Sequence, residues 1–137
     1  MNIVEQLYID GRTIKTKSGN EIILRGVSIA DPEALNSYVR GRFLNLIQIM
    51  DIAIKDWNVN VLRIPIHPYG IDDQPGWLTD PNGYLKKHID LAVKKSIESG
   101  IYLIIDLHLI ENYDSEEVDK LVISFWKQIA PIYKDIP

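Results

Sequence analysis

The chain of 137 residues has no cysteine, no long apolar run and no excess of positive charge. Without cysteine it can form neither a disulfide framework nor a metal site with thiolate ligands. The net charge of -4 argues against a surface that binds nucleic acid. No stretch approaches the length of a membrane span, and residues 1–5 lack the basic and apolar regions of a signal peptide. The compartment stays open, because secreted proteins can also lack cysteine.

The composition is that of a soluble globular domain. Hydrophobic residues make up 46% of the chain and charged residues 25%. A chain of this length can bury a real core. There is no internal repeat of fixed period and no low-complexity tract.

The order of predicted elements is a hairpin followed by three strand–helix pairs. Asp10-Gly11 between alternating apolar residues predicts the hairpin. Residues 21–29 predict the first core strand, in which Gly26 would let another group approach closely. The remaining predictions are a helix over about 43–57, a strand over 59–66, a helix over 81–99, a strand after Gly100 and a helix from about 115 that Pro131 kinks or ends. Alternating strands and helices predict a parallel sheet.

Polar side chains gather where the predicted strands end. Alternation places Arg63, Pro65 and His67 on one face of the second core strand. The third strand finishes in Asp106 and His108. Barrel and doubly wound enzymes place their chemistry at such ends. The alternative is a buried strand whose Asp and His merely cap it.

Three segments in order resemble glycoside hydrolase family 5, the cellulase and β-mannanase family of retaining (β/α)8 barrels. They are Leu24-Arg25-Gly26-Val27-Ser28, then Asn60-Val61-Leu62-Arg63-Ile64-Pro65, then Gly100-Ile101-Tyr102-Leu103-Ile104-Ile105-Asp106-Leu107-His108. The resemblance covers roughly residues 7–137. It implies an α/β fold, a partial TIM (β/α)8 barrel consisting of the first three βα units after a hairpin that plugs the barrel's bottom. Residues 1–137 would be the N-terminal portion of one barrel domain, since a complete barrel needs about 250 residues.

The resemblance also implies an activity and the parts it requires. The family hydrolyses β-glycosidic bonds in polysaccharides such as cellulose or mannan, by double displacement and without a cofactor. Such a mechanism needs two carboxylates about 5–5.5 Å apart. In the family these are glutamates at the ends of the fourth and seventh strands, and neither strand is within this chain. We therefore expect no catalytic residue in the chain and no activity from it alone.

Two residues match family positions that support catalysis. Arg63 matches the arginine that hydrogen-bonds the nucleophilic carboxylate and keeps it ionised. His108 matches the histidine that lies near the catalytic centre and helps to hold the sugar or the carboxylates. The alternatives are a structural ion pair inside the barrel for Arg63 and a core histidine for His108.

Three residues are candidates for binding the substrate. His67 shares a face with Arg63 and is expected at the same cleft. Trp77 and Tyr69 lie in the long loop after the second strand, where an aromatic ring could stack on a sugar. Packing of the loop is the alternative for both rings.

Other polar residues are expected to play smaller parts. Asp106 is expected to orient a neighbour, and Ser28 stands where many family members have asparagine. Carboxylates beyond the strand ends are expected to be solvated; these are Asp31, Asp72, Asp73 and Glu111. No spacing of His67 and His108 indicates a zinc site, so we expect no metal.

The expected partners are a β-linked polysaccharide or oligosaccharide, and either the remainder of the barrel or another copy of the chain. Nucleic acid and membranes are not expected. Three parallel strands without closure leave two bare edges, which favours association. Two alternatives to an enzyme portion therefore stay open: a non-catalytic carbohydrate-binding remnant, and a structural half-barrel that assembles with another chain.

Overall fold

A computed structural model of the chain describes residues 4–37, 44–108 and 112–137. Within them a hairpin precedes three parallel strands that alternate with helices. The strands are β1 (Leu7–Asp10), β2 (Thr13–Thr16), β3 (Gly26–Ser28), β4 (Val61–Ile66) and β5 (Tyr102–Leu107). The helices are α1 (Leu46–Lys55), α2 (Pro81–Tyr84), α3 (Asp90–Ser99) and α4 (Glu116–Tyr133). A π-helical turn, Leu85–Ile89, joins α2 to α3. The predicted α/β order is confirmed.

The parallel sheet has β4 at its centre, with β3 on one side and β5 on the other. In its register Ser28 lies opposite Arg63, and Arg63 lies opposite Ile104. The C-terminal ends of the three strands therefore lie at the same edge of the sheet, as expected for the first strands of a barrel.

The first core strand is shorter than predicted. At the start of this segment the backbone N–H of Ile22 donates to the carbonyl of Ile14 at 2.9 Å, and Glu21 bridges to Lys15. At its end the carbonyl of Arg25 accepts from the N–H of Asn60, just before β4, at 2.9 Å. Residues 21–22 thus extend the hairpin, and Gly26–Ser28 is the part that pairs with β4 in the parallel sheet. The apolar pattern could not separate the two kinds of pairing, because both need extended backbone.

Gly26 is required by the close approach of β3 to β4. A Cβ atom added there would lie 1.7 Å from the carbonyl oxygen of Val61. The prediction that this glycine admits another group is confirmed, and that group is the neighbouring strand's backbone. The hairpin turn is also as predicted, with Gly11 at a φ of 61°.

The two faces of the sheet differ in composition. Leu62, Ile64 and Ile66 of β4 face the helices and belong to the buried core, together with Phe125 of α4. The intervening positions face the other way, so that Ser28, Arg63 and Asp106 share the opposite face. We call this opposite face the site face. At the N-terminal end of β5 the hydroxyl of Tyr102 donates to the carbonyl of Glu5 at 2.9 Å, which ties the segment before the hairpin to this strand.

The helix ends follow local hydrogen bonds. Asn45 caps α1 in a capping box with Gln48, and Ser115 caps α4 by accepting from the N–H of Val118. The alternative that Pro131 ends the last helix is wrong, because α4 continues to Tyr133. Among the described residues, no helix has both the length and the apolar character needed to cross a membrane.

Candidate active site

Arg63 is held in place by its neighbours on both sides of β4. One guanidinium nitrogen, Nη2, donates to Oδ2 of Asp106 on β5 at 2.5 Å. The other, Nη1, donates to the hydroxyl of Ser28 on β3 at 2.9 Å. The guanidinium therefore spans all three strands, and charge-assisted bonding to a carboxylate fixes its plane. Asp106 orients a neighbour, as the sequence predicts, and Ser28 is one of the residues that hold the arginine.

His108 completes this cluster. Its Nδ1 lies 3.0 Å from Oδ2 of Asp106 and 3.3 Å from Nη2 of Arg63. Arginine can only donate and an ionised carboxylate can only accept, so the two neighbours require opposite roles of Nδ1. The shorter distance to Asp106 assigns the proton to Nδ1. In the neutral ring Nε2 then carries the lone pair and can accept a hydrogen bond.

His67 is brought to the same cluster. It directly follows the last residue of β4 and is buried. Its ring meets that of His108 edge-on, with 5.4 Å between the ring centroids. The structure thus brings together Arg63, Asp106, His108 and His67, which lie on two neighbouring strands.

Of the two aromatic candidates, only Tyr69 is accessible. The side chain of Tyr69 is 70% exposed in the loop after β4. Trp77 is 2% exposed and packs edge-on against Phe125, with 5.0 Å between the ring centroids. A buried ring has no free face for a sugar, so the substrate-binding interpretation of Trp77 gives way to packing of the loop. Its core partner is in α4, far along the chain.

The expectation that Asp31 is a solvated charge is wrong. Asp31 is 3% exposed, and Glu33 beside it is also buried. The carboxylate of Asp31 accepts from the N–H groups of Glu33, Ala34 and His67 and from the hydroxyl of Tyr84. Sequence reasoning misjudged the burial of Asp31 and did not single out Glu33. Their distant partners give no signal in the sequence.

Glu33 is paired with the π-helical turn. Its Oε1 accepts from Nζ of Lys87 at 2.5 Å and from Nε2 of His88 at 2.8 Å, and Oε2 accepts from Asn36. Burial raises the pKa of Glu33, but hydrogen bonds from His88, Lys87 and Asn36 outweigh it and lower the pKa from 4.5 to about 2. Burial lowers the pKa of His88 despite its bond to Glu33, so the ring is neutral at pH 7.

Two of the other carboxylates lie in the loop after β4. Asp72 and Asp73 are exposed in the loop after β4, and Asp73 accepts a hydrogen bond from the hydroxyl of Ser37 at 2.5 Å. Glu111 lies outside the described residues. In the described parts of the chain, no group of three or more histidine or carboxylate side chains is placed to hold a metal ion.

The site face can bind and orient, but its own chemistry is limited. Asp106 is the carboxylate of the cluster, and it is already bonded to Arg63 and His108. A cation such as Arg63, fixed on one face of a parallel sheet, can stabilise an anion held opposite it. The neighbouring imidazoles can exchange hydrogen bonds with hydroxyl groups. This combination fits the edge of a sugar-binding cleft.

The comparison with known families identifies the family of the chain. The model of the cellulase family, glycosyl hydrolase family 5, matches residues 16–137. The chain belongs to this family. Among curated proteins it is 27% identical over 141 aligned residues to endoglucanase A of Butyrivibrio fibrisolvens, which covers 95% of the chain and 29% of that protein. Endoglucanase N of Pectobacterium atrosepticum is 24% identical over 96% of the chain.

Solved structures of the family share the fold. A β-glucanase from Saccharophagus degradans superposes with a TM-score of 0.72 at 30% identity, over 93% of the chain and 37% of that protein. The catalytic domain of an endoglucanase from Thermobifida fusca superposes with a TM-score of 0.71 at 20% identity. The neighbours are TIM-barrel catalytic domains, so the predicted partial barrel is confirmed. The chain spans less than a third of endoglucanase A and 37% to 38% of these two solved chains.

Proposed function

We propose that the chain is the N-terminal portion of a retaining barrel that cleaves β-glycosidic bonds in a glucan of the cellulose type. The observation that carries the proposal is Arg63, fixed by Asp106 and Ser28 on β4, the second parallel strand of a chain of glycosyl hydrolase family 5. Several relatives are endoglucanases. The β-glucanase from Saccharophagus degradans has been seen in complex with cellotetraose.

In this reading the residues of the chain prepare the site and do not carry out bond cleavage. Arg63 donates to the nucleophilic carboxylate, which comes from the part of the barrel outside residues 1–137, and keeps it ionised. His108 accepts a hydrogen bond through Nε2 from a sugar hydroxyl, and His67 lies beside it. Tyr69 is the exposed aromatic ring nearest in sequence to this edge, and it is the candidate for stacking on a sugar.

The test is hydrolysis by the 137-residue chain alone. We expect no measurable release of reducing sugar from soluble β-glucan or β-mannan. Losing both catalytic carboxylates removes most of the rate enhancement, which for enzymes is typically about 10⁶-fold or more. The matched control is the same chain joined to the remainder of its barrel, which is expected to cleave β-glucan.

Two outcomes would contradict this reading. The first is turnover by the purified 137-residue chain that is abolished by Asp72→Asn, Asp73→Asn or Glu111→Gln, since a carboxylate of the chain itself would then be catalytic. The second is a complete barrel that binds cello-oligosaccharides without cleaving them, which would favour the carbohydrate-binding remnant.

A second candidate is a half-barrel that assembles with another copy of the chain. It is favoured by β5, which among the described strands has a sheet neighbour on one side only, and by Ile104, which is 46% exposed on the site face. Open strand edges and exposed apolar side chains both promote association. Association and the enzymatic proposal are compatible, because an isolated portion of a barrel exposes surfaces that the whole barrel covers.

A further inference from the structure

The backbone N–H of His67 lies where pairing between β3 and β4 has stopped. The carbonyl of Arg63 accepts from the N–H of Ile29 at 2.9 Å, so the odd-numbered residues of β4 direct their backbone groups towards β3. Pro65, the next of these, has no N–H. His67 follows it, and its N–H donates to Oδ2 of Asp31 at 2.7 Å. A side chain thus takes the place of a strand at this point.

The carboxylate of Asp31 is fully occupied by donors from three different elements. Oδ1 accepts from the N–H of Glu33 at 2.7 Å and of Ala34 at 3.2 Å. Oδ2 accepts from His67 and also from the hydroxyl of Tyr84 at 2.9 Å. Burial and the charge of Asp31 raise the pKa of Tyr84 well above its ordinary value, so this hydroxyl remains a donor. A buried carboxylate with four donors cannot move without leaving several of them unsatisfied.

The loop that carries Asp31 is anchored a second time, two residues later. Glu33 accepts from Lys87 and His88 of the π-helical turn. Tyr84 and His88, one turn apart, stack edge-on with 4.8 Å between the ring centroids. The loop is therefore tied to the helix that follows the β4 loop, which makes the Asp31 carboxylate a fixed point for His67.

The position of His67 matters because of what its ring touches. The imidazole lies edge-on against His108, whose Nδ1 contacts both Asp106 and Arg63. We propose that Asp31 is a positioning residue of the site: by holding the His67 backbone it fixes the His67 imidazole against His108 and so sets the orientation of His108 beside Arg63. This inference rests on the proposed function of the site face, but its geometry can be tested without any activity.

The first measurement uses the unmodified 137-residue chain labelled with ¹⁵N. The amide of His67 is expected to exchange with solvent at least about 10-fold more slowly than that of exposed Tyr69, because a hydrogen bond to a charged group protects it. Nuclear Overhauser contacts between the ring protons of His67 and His108 are expected in NMR spectra of the same sample. An unprotected His67 amide would overturn the proposal by itself.

The second measurement compares two variants that remove bonds from the same carboxylate cluster. Asp31→Asn leaves one oxygen for the four donors, so the His67 amide should exchange about 10- to 100-fold faster and the His67–His108 ring contact should be lost. Tyr84→Phe removes one bond but keeps the carboxylate, so both signals should persist. A loss of global stability common to both variants, with the ring contact intact in Asp31→Asn, would show that Asp31 is only structural.

The third measurement is the steady-state kinetics of the same two variants in the complete barrel. Displacing a sugar-binding imidazole should raise KM in Asp31→Asn about 10-fold and change kcat less, whereas Tyr84→Phe should change neither by more than about 2-fold. Unchanged kinetics in a folded Asp31→Asn barrel that still cleaves β-glucan would overturn the positioning role. A barrel without any hydrolytic activity would refute the proposed function and leave the spectroscopic result valid on its own.

Discussion

The two faces of the parallel sheet are built on different principles. The helix-facing side consists of apolar side chains such as Leu62, Ile64 and Ile66, and these are covered by helices of the same chain. The site face carries Arg63, Asp106 and His108, which bond to one another and remain partly exposed. One face is completed by packing within the chain. The other is organised by directional bonds between partly exposed polar side chains.

This difference separates stability from function within a single sheet. Burying apolar area stabilises a fold wherever the side chains fit, whereas an exposed ion pair contributes little to stability. The helix-facing side should therefore dominate the free energy of unfolding. The site face should dominate what the barrel can bind and cleave. The predictions below test this separation.

The largest effect on stability is expected from Phe125→Ala in α4. Phe125 is fully buried and packs against Trp77. Removing the ring should lower the free energy of unfolding by about 3–5 kcal/mol, because the cavity left behind adds to the lost burial. Urea titration at fixed protein concentration measures it. The control is Ile123→Ala on the same helix, an exposed position where about 0.5 kcal/mol is expected. Equal losses in both variants would contradict the assigned core.

A large effect on activity, without a large effect on stability, is expected at Arg63. In the complete barrel Arg63→Ala should lower kcat/KM about 100-fold or more, because under the proposed function the nucleophile loses its charge-assisted partner. Arg63→Lys should recover little, since an ammonium cannot reproduce the planar fork that bonds Asp106 and Ser28. The free energy of unfolding of either variant should change by only about 1 kcal/mol, as for other partly exposed ion pairs. Near-normal kinetics with an intact fold would make Arg63 structural.

The sequence predicted the residues of the site face well because local alternation determines which way each side chain points. Arg63 on β4 is four residues before His67, and Asp106 on β5 is two residues before His108. Because the alternation continues just past each strand, each pair shares a face. Pairing of the parallel strands then brings the two pairs together. The buried acids could not be found in this way. Asp31 depends on Tyr84, more than 50 residues away, and nothing local to its loop indicates this contact.

Trp77 and β3 illustrate the same limit. A tryptophan in a long loop is consistent both with stacking on a ligand and with packing, and the contact with Phe125 of α4 shows that Trp77 packs. The apolar run over residues 21–29 predicts extended backbone but does not indicate which strand it pairs with. In the structure the first part pairs with the hairpin and only Gly26–Ser28 with β4. Local pattern determines conformation and direction; contacts between distant segments determine burial.

A smaller effect is expected from acid, through the buried pair of Glu33 and His88. The pKa of each is lower in the folded chain than its ordinary value, so the unfolded chain binds more protons. Stability should therefore fall as the pH drops below about 6.5, where unfolded histidine protonates, and fall further between pH 4.5 and about 2, where Glu33 protonates. Urea titrations across this range measure the effect.

Glu33→Gln is the matched control for that pH dependence. It should be less stable than the parent at pH 7 and lose less stability between pH 4.5 and about 2, because the titrating group is gone. Asp135→Asn, at an exposed carboxylate after α4, should leave the profile unchanged. A Glu33→Gln profile parallel to that of the parent would show that other groups cause the acid sensitivity.

The smallest effect on stability is expected at Ile104, on the exposed side of β5. If the exposed site face and the open edge of β5 drive association, the 137-residue chain should associate at micromolar concentration, most simply as a twofold dimer. Ile104→Thr should change the free energy of unfolding by only about 0.5 kcal/mol, because the side chain is 46% exposed. It should nevertheless weaken association several-fold, by removing apolar area from the surface that pairs. Light scattering over a concentration series measures this, with Ile97→Thr, exposed on α3, as the control. A stable monomer at micromolar concentration would contradict this prediction. It would mean that three βα units bury enough surface by themselves, and that the site face needs no cover from another chain.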